Sequence, residues 1–199
     1  MKKTVLVYAV VLVLTLLAAA PAKGEVTFSL GARAGLSLSK AVWGDDDESE
    51  KSILRPTFGV FALVNLTPML AIQPEIDYLV TGDRWNADGA WQVESFTYLH
   101  IPVLLRARLM KEGKTIPFVA VGPAVSVLLR AVDAGEVSTS DFRSTDFGGE
   151  AGAGVEIAAK RMKVFLEARF YLGFTNTFDA FDLLRMKNRS LSLTAGLIF

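Results

Sequence analysis

His100 is the only histidine in the 199 residues, and there is no cysteine. An imidazole acts as a general base only when a nucleophile or water is within hydrogen-bond reach and a third group orients the ring. His100 is followed by Ile101 and Pro102, so no serine stands two residues onward on its own face. Glu75 and Asp77, on the preceding apolar-polar segment, are its candidate neighbours. The simpler reading is a buried histidine paired with a carboxylate, and no catalytic residue is assigned. A lone histidine without thiolates does not build a tight zinc site, so neither metal nor cofactor is expected. The run GDDDESE, Gly44–Glu50, offers oxygen ligands but lacks the internal glycine and the spacing of an EF-hand loop. It reads as a solvated acidic loop, with weak divalent-ion bridging as the alternative. No phosphate-cradling glycine loop is present and the formal net charge is zero, so no nucleic-acid partner is expected.

The other charges acquire meaning from the segments that carry them. Beyond residue 25, apolar and polar residues alternate with period two, the pattern of strands with two unlike faces. In VTFSLGARAGLSLS, Val26, Phe28, Leu30, Ala32, Ala34, Leu36 and Leu38 share one parity, and Arg33 sits among glycines and serines on the other. The rhythm recurs in Leu70–Val80, Tyr98–Leu109, Phe118–Arg130, Glu150–Ala158, Val164–Phe174 and Ser190–Phe199, and less cleanly in Phe58–Leu66, where Phe61 and Leu63 fall on the polar parity. In the last segment Ile198 is the exception. About eight strands result. Short connections near Thr67, Lys111 and Arg161 alternate with longer ones at 40–55, 82–92, 131–146 and 176–188. Turns on one side of a membrane and loops on the other produce that asymmetry. The expected fold is all-β: an eight-stranded antiparallel up-and-down transmembrane barrel.

Alternation alone leaves two barrels open, since a lipocalin-like barrel turns its apolar face inward around a ligand. The polar parity here is rich in glycine, serine and threonine, which suit a crowded interior, and the apolar parity carries almost no mid-strand charge. The oily side is therefore assigned to lipid. The polar side then places Arg33, Arg106, Arg108, Arg130 and Arg169 in the lumen with Glu75, Asp77, Glu150, Glu156, Glu167 and His100. An unmatched charge in a dry interior costs on the order of 3–5 kcal/mol, so near balance implies mutual pairing and a plugged lumen. Trp85, Trp91, Phe96 and Tyr98 are expected as interfacial rings at the long-loop side and Phe199 at the opposite boundary, with ordinary strand-end packing as the alternative for each.

Lys2 and Lys3 precede an apolar run from Val5 to Leu17 and the small residues of AAAPAKGEV. This is the layout of a secretory signal peptide over residues 1–24, cleaved after Ala22 or Gly24 and leaving 25–199 as the barrel domain. A retained membrane anchor is the alternative.

YLHIPVLLRARL, IPFVAVGPAVSVLL, GAGVEI, FLEARFYLGFTN and the terminal SLSLTAGLIF together resemble the PorT-like outer membrane β-barrel domain of Gram-negative bacteria. The likeness spans nearly all of the chain beyond the leader and is strongest from Ala71 onward. It implies a porin-family barrel of the OmpA/OmpX size class in the outer membrane, inserted by the outer membrane assembly machinery. It further implies that Phe199 belongs to the signal this machinery reads. Many members carry an acidic residue where this chain has His100. The function expected is that of a non-enzymatic structural or interaction barrel among outer membrane lipid and lipopolysaccharide, with an envelope protein as a further partner. An accessory component of a secretion or envelope machine is the alternative, and a small pore a third.

Overall fold

The computed structural model of the chain describes residues 26–43, 51–87, 90–133, 136–137, 143–175 and 186–199. The proposed leader and the acidic run 44–50 lie outside the described residues. All regular structure among the described residues is β: β1 (Thr27–Trp43), β2 (Lys51–Asn65), β3 (Leu70–Ala87), β4 (Ala90–Arg108), β5 (Thr115–Asp133), β6 (Glu136–Val137), β7 (Thr145–Ala159), β8 (Met162–Gly173) and β9 (Met186–Ile198). Eight of these form the ring β1-β2-β3-β4-β5-β7-β8-β9, every neighbour antiparallel, and the two-residue β6 pairs only with β5. β9 closes the ring on β1, Gly31 opposite Ile198 and Trp43 opposite Met186. No long edge is left for other chains to extend, because closure pairs both sides of every barrel strand.

The ring separates the two parities between two solvents. Phe28, Leu30, Leu36, Val60, Ile76, Leu105, Val121, Leu166, Phe170 and Leu193 are exposed on the outer wall. Arg33, Glu75, Asp77, Arg106, Glu156, Glu167 and Arg169 are buried inside. That is the reverse of a soluble ligand-holding barrel, and only a hydrocarbon surrounding satisfies it. Leu193, 57% exposed and midway along β9, probes the point directly. Leu193→Arg is expected to destabilise the barrel by about 2–4 kcal/mol in lipid vesicles, whereas Val137→Arg in β6, beyond the bilayer, stays within about 1 kcal/mol of the parent. Urea unfolding followed by tryptophan fluorescence measures both.

The strands run further than alternation suggested. Residues 82–92 were expected as a long loop, but they continue the β3–β4 ladder to Ala87 opposite Ala90. At 18 and 19 residues these strands are nearly twice what a tilted strand needs to cross a bilayer. Past the membrane both faces are in water, so nothing enforces alternation and the ladder leaves no period-two signature. Likewise β2 begins at Lys51 and β5 reaches Asp133, shortening the expected loops 40–55 and 131–146.

The lumen charge network

Ten of the eleven residues assigned to the lumen lie within it, in two groups joined by an amide. In the first, Arg33 of β1 donates through Nε to Asp77 Oδ1 at 3.1 Å, and its Nη2 lies 3.2 Å from Glu75 Oε2. From the opposite wall, Arg169 of β8 donates Nη1 and Nη2 to the two oxygens of Glu75 at 2.9 and 2.8 Å. The same Arg169 Nη2 is 2.8 Å from Glu167 Oε2, off the line of a hydrogen bond, and Nη1 is 3.7 Å from Glu150. Two guanidinium groups thus face four carboxylates. Bidentate pairing explains why both cations are arginine, since the planar fork matches a carboxylate and lysine cannot.

In the second group the ratio is inverted. Glu156 of β7 meets Arg106 at 2.8 Å, Arg108 at 3.1 Å and Lys163 at 3.2 Å. Arg106 also donates to Gln73 Oε1 at 2.8 Å, and Gln73 Nε2 donates to Glu75 Oε1 at 2.6 Å. Gln73 is therefore the link through which the acid-rich and base-rich groups offset each other. Alternation could not nominate it, because a neutral amide shows its value only once both neighbours are placed. Space for the pairing comes partly from Gly59: a Cβ there would fall 1.8 Å from Asp77 Oδ1.

Arg130 is the correction. It is exposed on the outer wall, because the β4–β5 register shifts between Thr97 opposite Arg130 and Tyr98 opposite Leu128. The extra residue, Leu129, turns outward at 55% exposure and switches parity, so Leu128 and Ala131 point inward instead. A β-bulge does this wherever it occurs. Lys163 supplies at the short-turn mouth a cation of the kind expected from Arg130.

Phe96 and Tyr98 are also corrected. Both are buried, at 0% and 1% exposure, and line the interior instead of the membrane boundary. Tyr98 accepts a 3.3 Å hydrogen bond from Asn188 Nδ2, which also donates to Asp146 Oδ2 at 3.1 Å. Tyr171 donates to the same Asp146 oxygen at 3.0 Å. Phe199 is 62% exposed at the short-turn end. The side chains of Trp85 and Trp91 lie outside the described residues.

His100 stands opposite Asp77 in the β3–β4 register, but its nearest carboxylate is Glu150 on β7, with Nε2 to Oε2 at 3.5 Å. Its Nδ1 is 2.8 Å from Ser126 Oγ on β5. Ser, His and Glu together invite comparison with a hydrolase triad, and sequence spacing could not have found this grouping, because the three sit on three strands. The assignment of nitrogens is the reverse of the triad, in which the nucleophile meets Nε2 and the acid Nδ1. All three side chains are buried, and the Tyr171 ring lies edge-on at 4.9 Å from the imidazole, leaving no face for an acyl group.

Below the charges the interior turns apolar. Phe61, Leu63, Ala71, Phe118, Phe165 and Ile198 form one cluster, which gives Phe61, Leu63 and Ile198, the exceptions to the alternation, their place. Phe61 and Phe165 meet edge to face at 5.6 Å, and the Arg106 guanidinium caps Phe118 at 3.4 Å. The cation-π contact ties the charged layer to the oily one.

Solved structures share this architecture. Neisserial surface protein A superimposes with a TM-score of 0.54 at 16% identity, over 86% of this chain and 95% of that one. OprG from Pseudomonas aeruginosa gives 0.55 at 10% identity, over 88% and 98%. Identities this low speak for the fold alone. No curated protein matches the chain. Residues 21–179 match the outer membrane protein beta-barrel domain, and this chain, oily outside and charged within, belongs to that family and resides in the outer membrane.

Proposed function

We propose that this protein is a structural and interaction barrel of the outer membrane, closed along its axis by its own side chains and acting through its outer surfaces. One observation carries the reading: carboxylates and guanidinium groups from β1, β3, β4, β7 and β8 meet across the lumen, above a ring-packed apolar cluster. A barrel of eight strands is just wide enough for its side chains to fill. The partners that fit are lipid and lipopolysaccharide around the wall, and the assembly machinery reading Phe199 during biogenesis. Catalysis is not part of the proposal, because the imidazole and its neighbours are enclosed. Planar-bilayer recordings of the pure protein are expected to show no stable unitary conductance; discrete steps would overturn the closed lumen.

The PorT-like alternative, an accessory part of a secretion or envelope machine, draws on the strands of 18 and 19 residues that carry a rigid ladder well past the bilayer. Such a platform suits a docked protein. Cross-linking in cells followed by purification separates the two: a stoichiometric envelope partner selects the machine, and a lone heat-modifiable monomer selects the simple barrel.

A further inference from the structure

The short-turn mouth of the lumen opens into a cavity of about 860 Å³. Five of its fifteen lining residues are cationic: Arg108, Lys111, Lys160, Arg161 and Lys163. None of the fifteen has an acidic side chain, and the only negative group is the main-chain carboxylate of Phe199. The nearest buried acid, Glu156, is already shared among Arg106, Arg108 and Lys163. Lys111, Lys160 and Arg161 make no ion pair among the described residues, and all three are exposed. The floor is positive too, since Arg108 is buried at 6% and held in place by Glu156 and by Asn65 Oδ1 at 2.9 Å.

Backbone geometry sharpens the point. Ala159 pairs with Met162, so Lys160 and Arg161 are the tip of a two-residue hairpin, and Lys160 has φ of 53°. Glycine or asparagine takes that left-handed conformation most readily. A lysine there places a cation over the mouth at some expense in backbone preference. Neutral donors complete the lining. Thr27 and Ser29 contribute hydroxyls, and Thr67 Oγ1 already accepts from Met69 and Leu70 amides, leaving its hydrogen to donate.

From this convergence we infer that the short-turn mouth is a binding site for phosphate-class oxyanions. A tetrahedral dianion offers several acceptor oxygens to a fork from Arg108, point charges from the lysines and the hydroxyl hydrogens, and it relieves repulsion among cations that the protein leaves uncompensated. Short turns of outer membrane barrels face the periplasm. The phosphate can therefore come from a headgroup of the adjoining leaflet or from solution. The inference holds whether the barrel works alone or in a machine.

The test uses the mature protein in neutral detergent and the variant Lys111→Gln/Lys160→Gln/Arg161→Gln. These exposed turn positions leave the wall intact, and heat-modifiable migration verifies folding. Arg130→Gln, an exposed cation away from the mouth, is the control. Inorganic phosphate titrated calorimetrically is expected to bind saturably, at least five-fold more weakly to the triple variant and unchanged with the control. Binding of this kind assigns the site to soluble phosphate. Retention of phosphatidylglycerol from mixed micelles in native mass spectra, lost in the triple variant without any inorganic phosphate binding, assigns it to a headgroup. Equal binding by parent and triple variant, or no binding of either probe, overturns the proposal.

Discussion

Arg169→Met is expected to destabilise the folded barrel by about 3–5 kcal/mol, although the side chain touches neither lipid nor water. The guanidinium holds Glu75 through two hydrogen bonds at 2.9 and 2.8 Å and lies 2.8 Å from Glu167 and 3.7 Å from Glu150. Removing it leaves three enclosed carboxylates to share Arg33 alone. Breaking such a pair is far more damaging than replacing it whole, because the stranded charge keeps its desolvation penalty. Glu75→Met in the Arg169→Met background should therefore recover part of the loss, and the double-mutant cycle should show strong coupling. Urea titration in lipid vesicles, read by tryptophan fluorescence, measures all three variants. If Arg169→Met and Glu75→Met each cost less than about 0.5 kcal/mol, the charges are hydrated and the lumen is wet.

The network also shows how far alternation can be read. Parity placed Arg33, Glu75, Asp77, Arg106, Arg108 and Arg169 on the inner face, since a strand covered by lipid on one side has no freedom to vary its period. It failed at Arg130 because a bulge is a backbone event: one extra residue, Leu129, reverses every later side chain without changing composition. It failed at Phe96 and Tyr98 for a different reason. Rings near a strand end suit a membrane boundary and a narrow interior equally well, and the choice depends on what stands across the barrel, here Asn188 and Tyr171. Partners across the lumen were likewise illegible. His100 meets Glu150 and Ser126 on strands 50 and 26 positions away, and no local pattern encodes that encounter. Ile198, Phe61 and Leu63 carried information as exceptions, because apolar residues on the wrong parity of several strands converge at one depth.

That apolar layer is where the second large effect is expected. Phe165→Ala should cost about 3–5 kcal/mol, comparable to losing Arg169 but by a wholly different route. The ring is 1% exposed, packs edge-on to Phe61 at 5.6 Å, and has the Arg106 guanidinium 5.6 Å from its centroid. Its volume is matched across the ladder by Gly196, where a Cβ would lie 2.5 Å from Phe165 Cε1. With the ring gone, the barrel wall cannot collapse inward, because closure fixes its circumference. The transfer term and the cavity term then add with little relaxation. Phe165→Leu should retain most of the stability, since it fills much of the same space. A salt series distinguishes this effect from electrostatics: the Phe165→Ala deficit should stay constant from low to high ionic strength, being a matter of volume. A deficit below about 1 kcal/mol would mean that water already fills the lower lumen. Charges above would then be solvated from below, and the pairing across β1, β3 and β8 would have to hold without a dry floor.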